Sequence, residues 1–225
     1  MKITIIYDNT TVHETLKKDW GFSCLIEAYE RKILFDAGAN GAVLLHNMKR
    51  LEIDPKSITD VFLSHSHFDH IGGLSAFLDK NNKVTIHVPT SLKGIRNVKG
   101  VIYYDRPGKI YDHFYTTGEL AHLEQSLAIK TAKGLVLIAG CSHPGIPAMF
   151  NAVSRFGEIY GIIGGLHGFN QLEFFRDLEL ICPCHCTQYT KEIQARYPDK
   201  TIEGGAGKII ERGEHEKPVK NFQQG

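Results

Sequence analysis

The densest chemistry in this chain lies at residues 64–73, Ser-His-Ser-His-Phe-Asp-His-Ile-Gly-Gly. Four of the six residues from His65 to His70 are metal-ligand types: His65, His67, Asp69 and His70. His65 and His67 are two apart, so on extended backbone both point to one side and can address one ion. Asp69 and His70 are adjacent; a turn there would aim both at a second point a few ångströms away. Neutral imidazole and carboxylate suit zinc, iron or manganese. Two such ions roughly 3.5–4 Å apart suit hydrolytic chemistry. A histidine-rich solvated loop is the competing reading; it fits a lone His-x-His pair better than this longer cluster.

Something rigid must mount those side chains. Residues 60–63 (Asp-Val-Phe-Leu) read as a buried strand, and 72–78 as a turn opening a helix. A strand, a turn residue and then a histidine recur at His65, His143, His167 and His185. The later three sit in Gly-Cys-Ser-His-Pro-Gly, Gly-Gly-Leu-His-Gly-Phe and Cys-Pro-Cys-His-Cys-Thr. Four strand ends delivering imidazole to one edge are what a metal site in a sandwich needs.

The remaining elements follow from pattern. Strands are expected at 3–7, 22–29 and 32–36, the last two joined by a tight hairpin at Glu30-Arg31. Residues 8–21 read as a polar loop holding the sole tryptophan, Trp20. Helical spacing runs over 43–51, and a strand at 84–88 ends at Pro89. Residues 100–125 are mixed and rich in Tyr103, Tyr104, Tyr111, Phe114 and Tyr115, which could line core and rim or wall a pocket. His87, His113 and His122 read as structural. Strands at 127–131 and 135–139 flank a Gly-bearing hairpin, and another follows at 159–163. Helices are expected at 147–156, 172–178 and, as a long final one, 188–196; a polar tail starts at 202–208. Two β-rich halves with helices after strands fit an α/β chain folded as a four-layer sandwich, one domain spanning 1–225.

Composition narrows the partners. With 225 residues and 42% hydrophobic content, a large core is available. The formal net charge is +1, from 26 basic and 25 acidic side chains. That balance argues against nucleic acid as a partner, while a small anionic substrate needs only a local patch. No apolar run approaches a membrane span, and the N-terminus lacks the pattern of a signal peptide. Five cysteines, three of them at 182–186, do not form a disulfide framework. Free thiols without an export signal suit a reducing cytoplasm.

The His-x-His-x-Asp-His cluster resembles the signature of the metallo-β-lactamase superfamily. The resemblance implies an αββα sandwich with metals at one edge, between the sheets. It implies His65, His67 and His143 on a first ion, and Asp69, His70 and His185 on a second. Asp36, in Phe-Asp-x-Gly, reads either as a turn aspartate or, by the resemblance, as a buttress of the metal-binding loop. The superfamily's bridging aspartate is expected at the end of the 135–139 strand, where this chain has Gly-Cys, so Cys141 would bridge as a thiolate or the bridge would be missing. The three later histidine motifs are similar to the branch that contains 7,8-dihydropterin-6-methyl-4-(β-ribofuranosyl)aminobenzene-5′-phosphate synthase. The implied activity is that of a metal-dependent hydrolase, or a lyase-type relative, with two divalent ions, zinc first and iron or manganese next. Hydroxide generated between the ions would attack a carbonyl or phosphorus centre of a small, phosphorylated or pterin-like substrate. Asp69 would orient the water. His167, not needed by either ligand set, would donate a proton or contact an anion, with Gly164, Gly165 and Gly168 offering backbone amides to a phosphate.

A rival reading starts from Cys182, Cys184 and Cys186. Spaced by two, they would align on extended backbone and, with Cys141 or Cys24, could hold iron–sulfur or another soft metal for redox work. The spacing is tighter than that of common ferredoxins. They could equally be small buried apolar residues around His185.

Overall fold

Most strands in this chain carry apolar residues on both faces because both faces are covered. The computed structural model describes residues 1–213. The chain runs β1 (Lys2–Tyr7), β2 (Ser23–Ala28), β3 (Arg31–Phe35), α1 (Gly41–Arg50), β4 (Asp60–Phe62), α2 (Phe68–Ile71), α3 (Leu74–Leu78), β5 (Thr85–Pro89), β6 (Gly100–Tyr104), β7 (Gly108–Tyr111), β8 (Phe114–Thr116), β9 (Leu127–Thr131), β10 (Gly134–Ala139), α4 (Ile146–Ser154), β11 (Ile159–Gly165), β12 (Leu180–Cys184), α5 (Thr190–Arg196) and β13 (Ile209–Glu211). One sheet has the order β13-β1-β2-β3-β4-β5-β6 and the other β12-β11-β10-β9-β8-β7.

Alternation within single strands builds the layers. In β10, Val136 and Ile138 face the inter-sheet core, while Leu135 and Leu137 face α4 and α5. In β2, Cys24 and Ile26 face inward and Leu25 outward, onto Leu44 and Met48 of α1. Each fully buried aliphatic side chain contributes about 1.5–3 kcal/mol. Three such clusters stacked between and outside two sheets make the four-layer αββα sandwich.

Strand direction then positions the site. β1 and β3 each run antiparallel to β2, β3 to β6 run parallel, and β10 to β12 run parallel. The C-terminal ends of β1, β3 and β4 therefore share one edge of the first sheet, and those of β10, β11 and β12 share one edge of the second. Ligands in open α/β sheets gather at such carboxyl ends.

Three local devices fix that edge. The Asn40 side chain caps α1, accepting from Ala42 N at 2.9 Å. Further along α1, buried Asn47 donates to Ile6 O at 2.8 Å and Lys17 O at 2.7 Å, pinning the 8–21 loop to the sheet. Gly72 and Gly73 permit the α2–α3 elbow: a Cβ at Gly72 would lie 2.2 Å from Ala39 O, and one at Gly73 would lie 2.2 Å from Ala37 O.

Several elements differ from expectation. The hairpin turn falls on Tyr29 and Glu30, whose φ of 47° and 62° suit a two-residue loop that follows strand twist. The region 172–178 forms only a 3₁₀ turn, Leu172–Phe175. The final helix is α5, 7 residues long rather than long. The polar tail is not loop throughout: β13 pairs with β1, with Ile210 opposite Ile3 in the inter-sheet core. The rest of that tail, and the end of the expected 1–225 domain, lie outside the described residues. His87 is a packed strand residue, bonded to Asp60 at 3.0 Å and Tyr104 at 2.8 Å. Among the aromatics at 103–115, Tyr111 holds Asp60 at 2.7 Å, Tyr115 stacks on Phe156 and Phe114 is core, whereas Tyr103 is exposed. His113 stacks on Tyr29, and His122 is exposed.

Candidate metal centre

Each of the four strand-end histidines lands on the shared rim. His65 follows β4, His143 follows β10, His167 follows β11 and His185 follows β12. Ring centroids lie 4.8 Å apart for His65–His143, 5.3 Å for His143–His167 and 5.1 Å for His70–His185. Among the described residues, donor atoms within 4.8 Å of one another form four groups: His65/His67/His143, Asp69/His70/His185, His65/His70/Cys141 and Cys141/His185/Cys186. His67 caps the N-terminus of α2, which puts Asp69 and His70 in its first turn. The turn expected between Asp69 and His70 is thus a helical one.

The hydrogen bonds decide which nitrogen of each ring faces the centre. Ser64 Oγ spends its one proton on Asp36 at 2.7 Å, so it accepts from His65 Nδ1–H at 2.8 Å. That leaves His65 Nε2 as a lone pair. His143 Nδ1–H donates to Glu124 Oε2 at 2.9 Å, and His70 Nδ1–H to Asp36 Oδ2 at 2.7 Å. His185 Nδ1–H donates to the amide oxygen of Asn9 at 3.0 Å. A partner for the outer nitrogen and a bare inner nitrogen is the arrangement that orients metal-ligating histidines.

One contact then lacks a proton. His185 Nε2 faces Asp69 Oδ2 at 3.1 Å, although that oxygen already accepts from Trp20 Nε1 at 2.9 Å. His65 Nε2, by contrast, can accept from His67 Nδ1–H at 3.0 Å. Burial and neighbouring rings push His65 down to about 2, and burial and His70 push His185 down to about 4, so both rings are neutral at physiological pH. A lone pair facing a carboxylate in a buried spot is costly unless a cation lies between them. The donor set therefore fits metal ions. Burial would lower His70 as well, but Asp36 outweighs it and raises the ring's basicity, which strengthens a metal ligand.

Cys141 Sγ lies 3.2 Å from His70 Nε2 and belongs to two of the four groups, one holding His65 and one holding His185. It sits where a ligand shared by two ions would sit. The Cys186 hydrogen bond and burial push the Cys141 thiol up, and the same bond lowers Cys186.

Asp36 is fully buried and accepts from Ser64 N, Ser64 Oγ and His70. His167 is exposed and joins no donor group among the described residues. Of the glycines near it, Gly165 does not present a free amide, since its N–H donates to Gly140 O at 3.2 Å. The expectation that Cys182, Cys184 and Cys186 align is corrected. Cys182 and Cys184 face the inter-sheet core, with sulfurs 3.8 Å apart, whereas Cys186 lies beyond β12 beside Cys141. Cys24 lies in that same core, and neither Cys182 nor Cys184 joins a donor group among the described residues.

Sequence reasoning missed the residues that hold the ligands. Glu124 accepts from Cys141 N, Ser142 N and His143 N as well as the His143 ring. Asp8 accepts from His185 N at 2.8 Å. Asn9 and Trp20 come from the loop that reads only as polar. A signal existed for Asp8, since it ends an apolar strand as Asp36 does. Glu124 had none beyond its place before β9.

Comparison with known proteins agrees with this fold. A profile of the metallo-beta-lactamase superfamily matches residues 21–143. The chain is 28% identical, over 84% of its length and 89% of the relative's, to a 7,8-dihydropterin-6-methyl-4-(beta-D-ribofuranosyl)-aminobenzene-5'-phosphate synthase of Methanocaldococcus jannaschii. Its fold matches a metal-dependent hydrolase of the beta-lactamase superfamily with a TM-score of 0.79 at 24% identity, covering 95% of this chain and 99% of that one. It also matches zinc-bound PqqB of Methylobacterium extorquens with a TM-score of 0.65 at 12% identity, covering 94% and 100%. No helix among the described residues is long and apolar enough to cross a membrane.

Proposed function

This chain belongs to the metallo-beta-lactamase superfamily, and we propose that it is a metal-dependent enzyme with two divalent cations, hydrolytic or lyase-like, acting on a small anionic, ring-bearing substrate. The observation that carries the reading is the proton-free contact of His185 Nε2 with Asp69 Oδ2 at 3.1 Å, within a rim where His65, His67 and His143 donors also converge. His65, His67 and His143 would hold one ion. Asp69, His70 and His185 would hold the other, with Cys141 shared. The bound ions would supply an acidified water and polarise the electrophile; zinc suits the donor set, and iron or manganese are next. Asp69, aimed by Trp20 Nε1–H, orients the water. His167, exposed at the rim, donates a proton to the leaving group or contacts its charge.

Two features support the substrate class. Trp20 and Phe68 are 52% and 67% exposed although both are large aromatics, and each adjoins a ligand residue. Exposed aromatic faces at a polar rim suit stacking of a planar ring. A cleft of about 760 Å³, lined by Ile71, Leu74 and the cationic Lys80, Lys93 and Arg96 but by none of the candidate metal donors, has side chains that suit a phosphate. The methanogen relative's name specifies a pterin-bearing ribosyl phosphate product, which has both parts. Free thiols at the centre suit a reducing compartment such as the cytoplasm.

The test is turnover by zinc-reconstituted protein on phosphodiesters, lactones and pterin-like phosphates. Activity should disappear on chelation, and His67→Ala should lose more than the roughly 10–100-fold typical of removing an outer partner. Zinc-loaded protein that turns over none of these classes contradicts the reading.

A further inference from the structure

The second metal position has more donors than the histidines and Asp69 supply. On regular strand backbone, Cys186 would continue the alternation of Cys182 and Cys184 and enter the inter-sheet core. It does not. His185 has φ 49°, in the left-handed region that non-glycine residues rarely adopt, and the chain turns there. The turn delivers Cys186 to Cys141. The donor atoms of Cys141, His185 and Cys186 all lie within 4.8 Å of one another. Space for the sulfur is kept by a glycine: a Cβ at Gly165 would lie 2.7 Å from Cys186 Sγ and 3.2 Å from Cys141 Cα. Cys186 is also the one cysteine that is not buried. A strained backbone at a site, held by Asp8 through His185 N and by Asn9 through His185 O at 2.9 Å, marks a position that the surrounding structure enforces.

We propose that Cys186 is a metal ligand, and that with Cys141 and His185 it makes the second position a thiolate-bearing site selecting a thiophilic ion such as zinc or cobalt over manganese or magnesium. This rests on the two-ion reading above. The selectivity follows from donor softness: sulfur favours zinc-like ions, whereas manganese and magnesium prefer oxygen. Coordination would convert each thiol to a thiolate and release its proton to solvent.

Cobalt(II) reconstitution of the full chain tests this, since sulfur-to-cobalt charge transfer absorbs in the near ultraviolet and reports ligation without turnover. Two cobalt ions per chain with such a band are expected, with the band reduced by about half in Cys186→Ser and absent in Cys141→Ser/Cys186→Ser. Zinc should displace the cobalt of the band, and manganese should not. Two bound cobalt ions without the band, or a band unchanged in Cys186→Ser, overturn the proposal and leave the two-ion reading standing. Wild-type protein that retains no cobalt or zinc overturns both. A second measurement needs no variant: iodoacetamide should alkylate Cys186 at least tenfold more slowly in zinc-loaded than in chelator-stripped protein. Equal rates at full zinc occupancy overturn the assignment.

Discussion

Glu124 and Asp8 hold two parts of the candidate metal rim in the same way, each accepting the backbone N–H of a candidate ligand histidine, His143 at 2.9 Å and His185 at 2.8 Å. Both carboxylates are buried, at 1% and 2% exposure. Their acidities are nevertheless driven apart. Burial raises Glu124, but the His143 ring, nearby His65 and the backbone N–H groups outweigh it and hold the carboxyl at about 2. Burial also raises Asp8, and N–H groups of His185, Asn9 and Gly205 offset only part of that, leaving it at about 6. The difference is an imidazole: Glu124 faces one, and Asp8 faces dipoles alone. The first metal position is thus organised around a fixed charge. At the second, Asp8 holds His185 with no imidazole beside it, Asp36 holds His70, and thiols lie close by.

The largest break in this comparison should come from Glu124→Gln. The new amide NH₂ would face the N–H groups of His143, leaving buried donors opposed, at a cost of about 3 kcal/mol. Urea unfolding of metal-free protein should show that loss, and zinc titration should show weakened binding. Asp8→Asn should cost less, about 1 kcal/mol at pH 7, because it also removes the penalty of ionising a buried acid. Smaller still, Trp20→Phe removes one half-exposed donor to Asp69, for about 0.5–1 kcal/mol, and its effect should appear more in KM than in stability.

Acidity sharpens the same contrast. Glu124 is lowered on folding, from an ordinary 4.5 to about 2. Its contribution in metal-free protein is therefore full above pH 4.5 and lost as pH falls toward 2. Asp8 is raised, from 3.8 to about 6, so stability falls as pH rises through that window. Subtracting each variant's stability curve from that of wild type should give slopes of opposite sign, and equal signs would refute the contrast.

The candidate ligands were legible in the sequence and their supports obscure, for a physical reason. His65, His67, Asp69 and His70 are local, so spacing alone groups them. His143, His167 and His185 repeat one strand-turn-histidine pattern, and parallel strands that end at one edge turn that repetition into proximity. Glu124, Asp8 and Asn9 act through hydrogen bonds to residues 19 to 177 positions away, and single residues carry no periodic signal. Cys186 misled because strand alternation predicts the wrong side once His185 turns left-handed. β13 was hidden by a glycine-rich approach, yet Ile209–Glu211 needed only three residues to extend the sheet.

Anomalous diffraction at the zinc edge from crystals of the reconstituted chain tests the central claim most directly. The account predicts two peaks roughly 3.5–4 Å apart, one among His65, His67 and His143 and the other among Asp69, His70 and His185. Fully loaded crystals whose peaks all lie away from these side chains would contradict it.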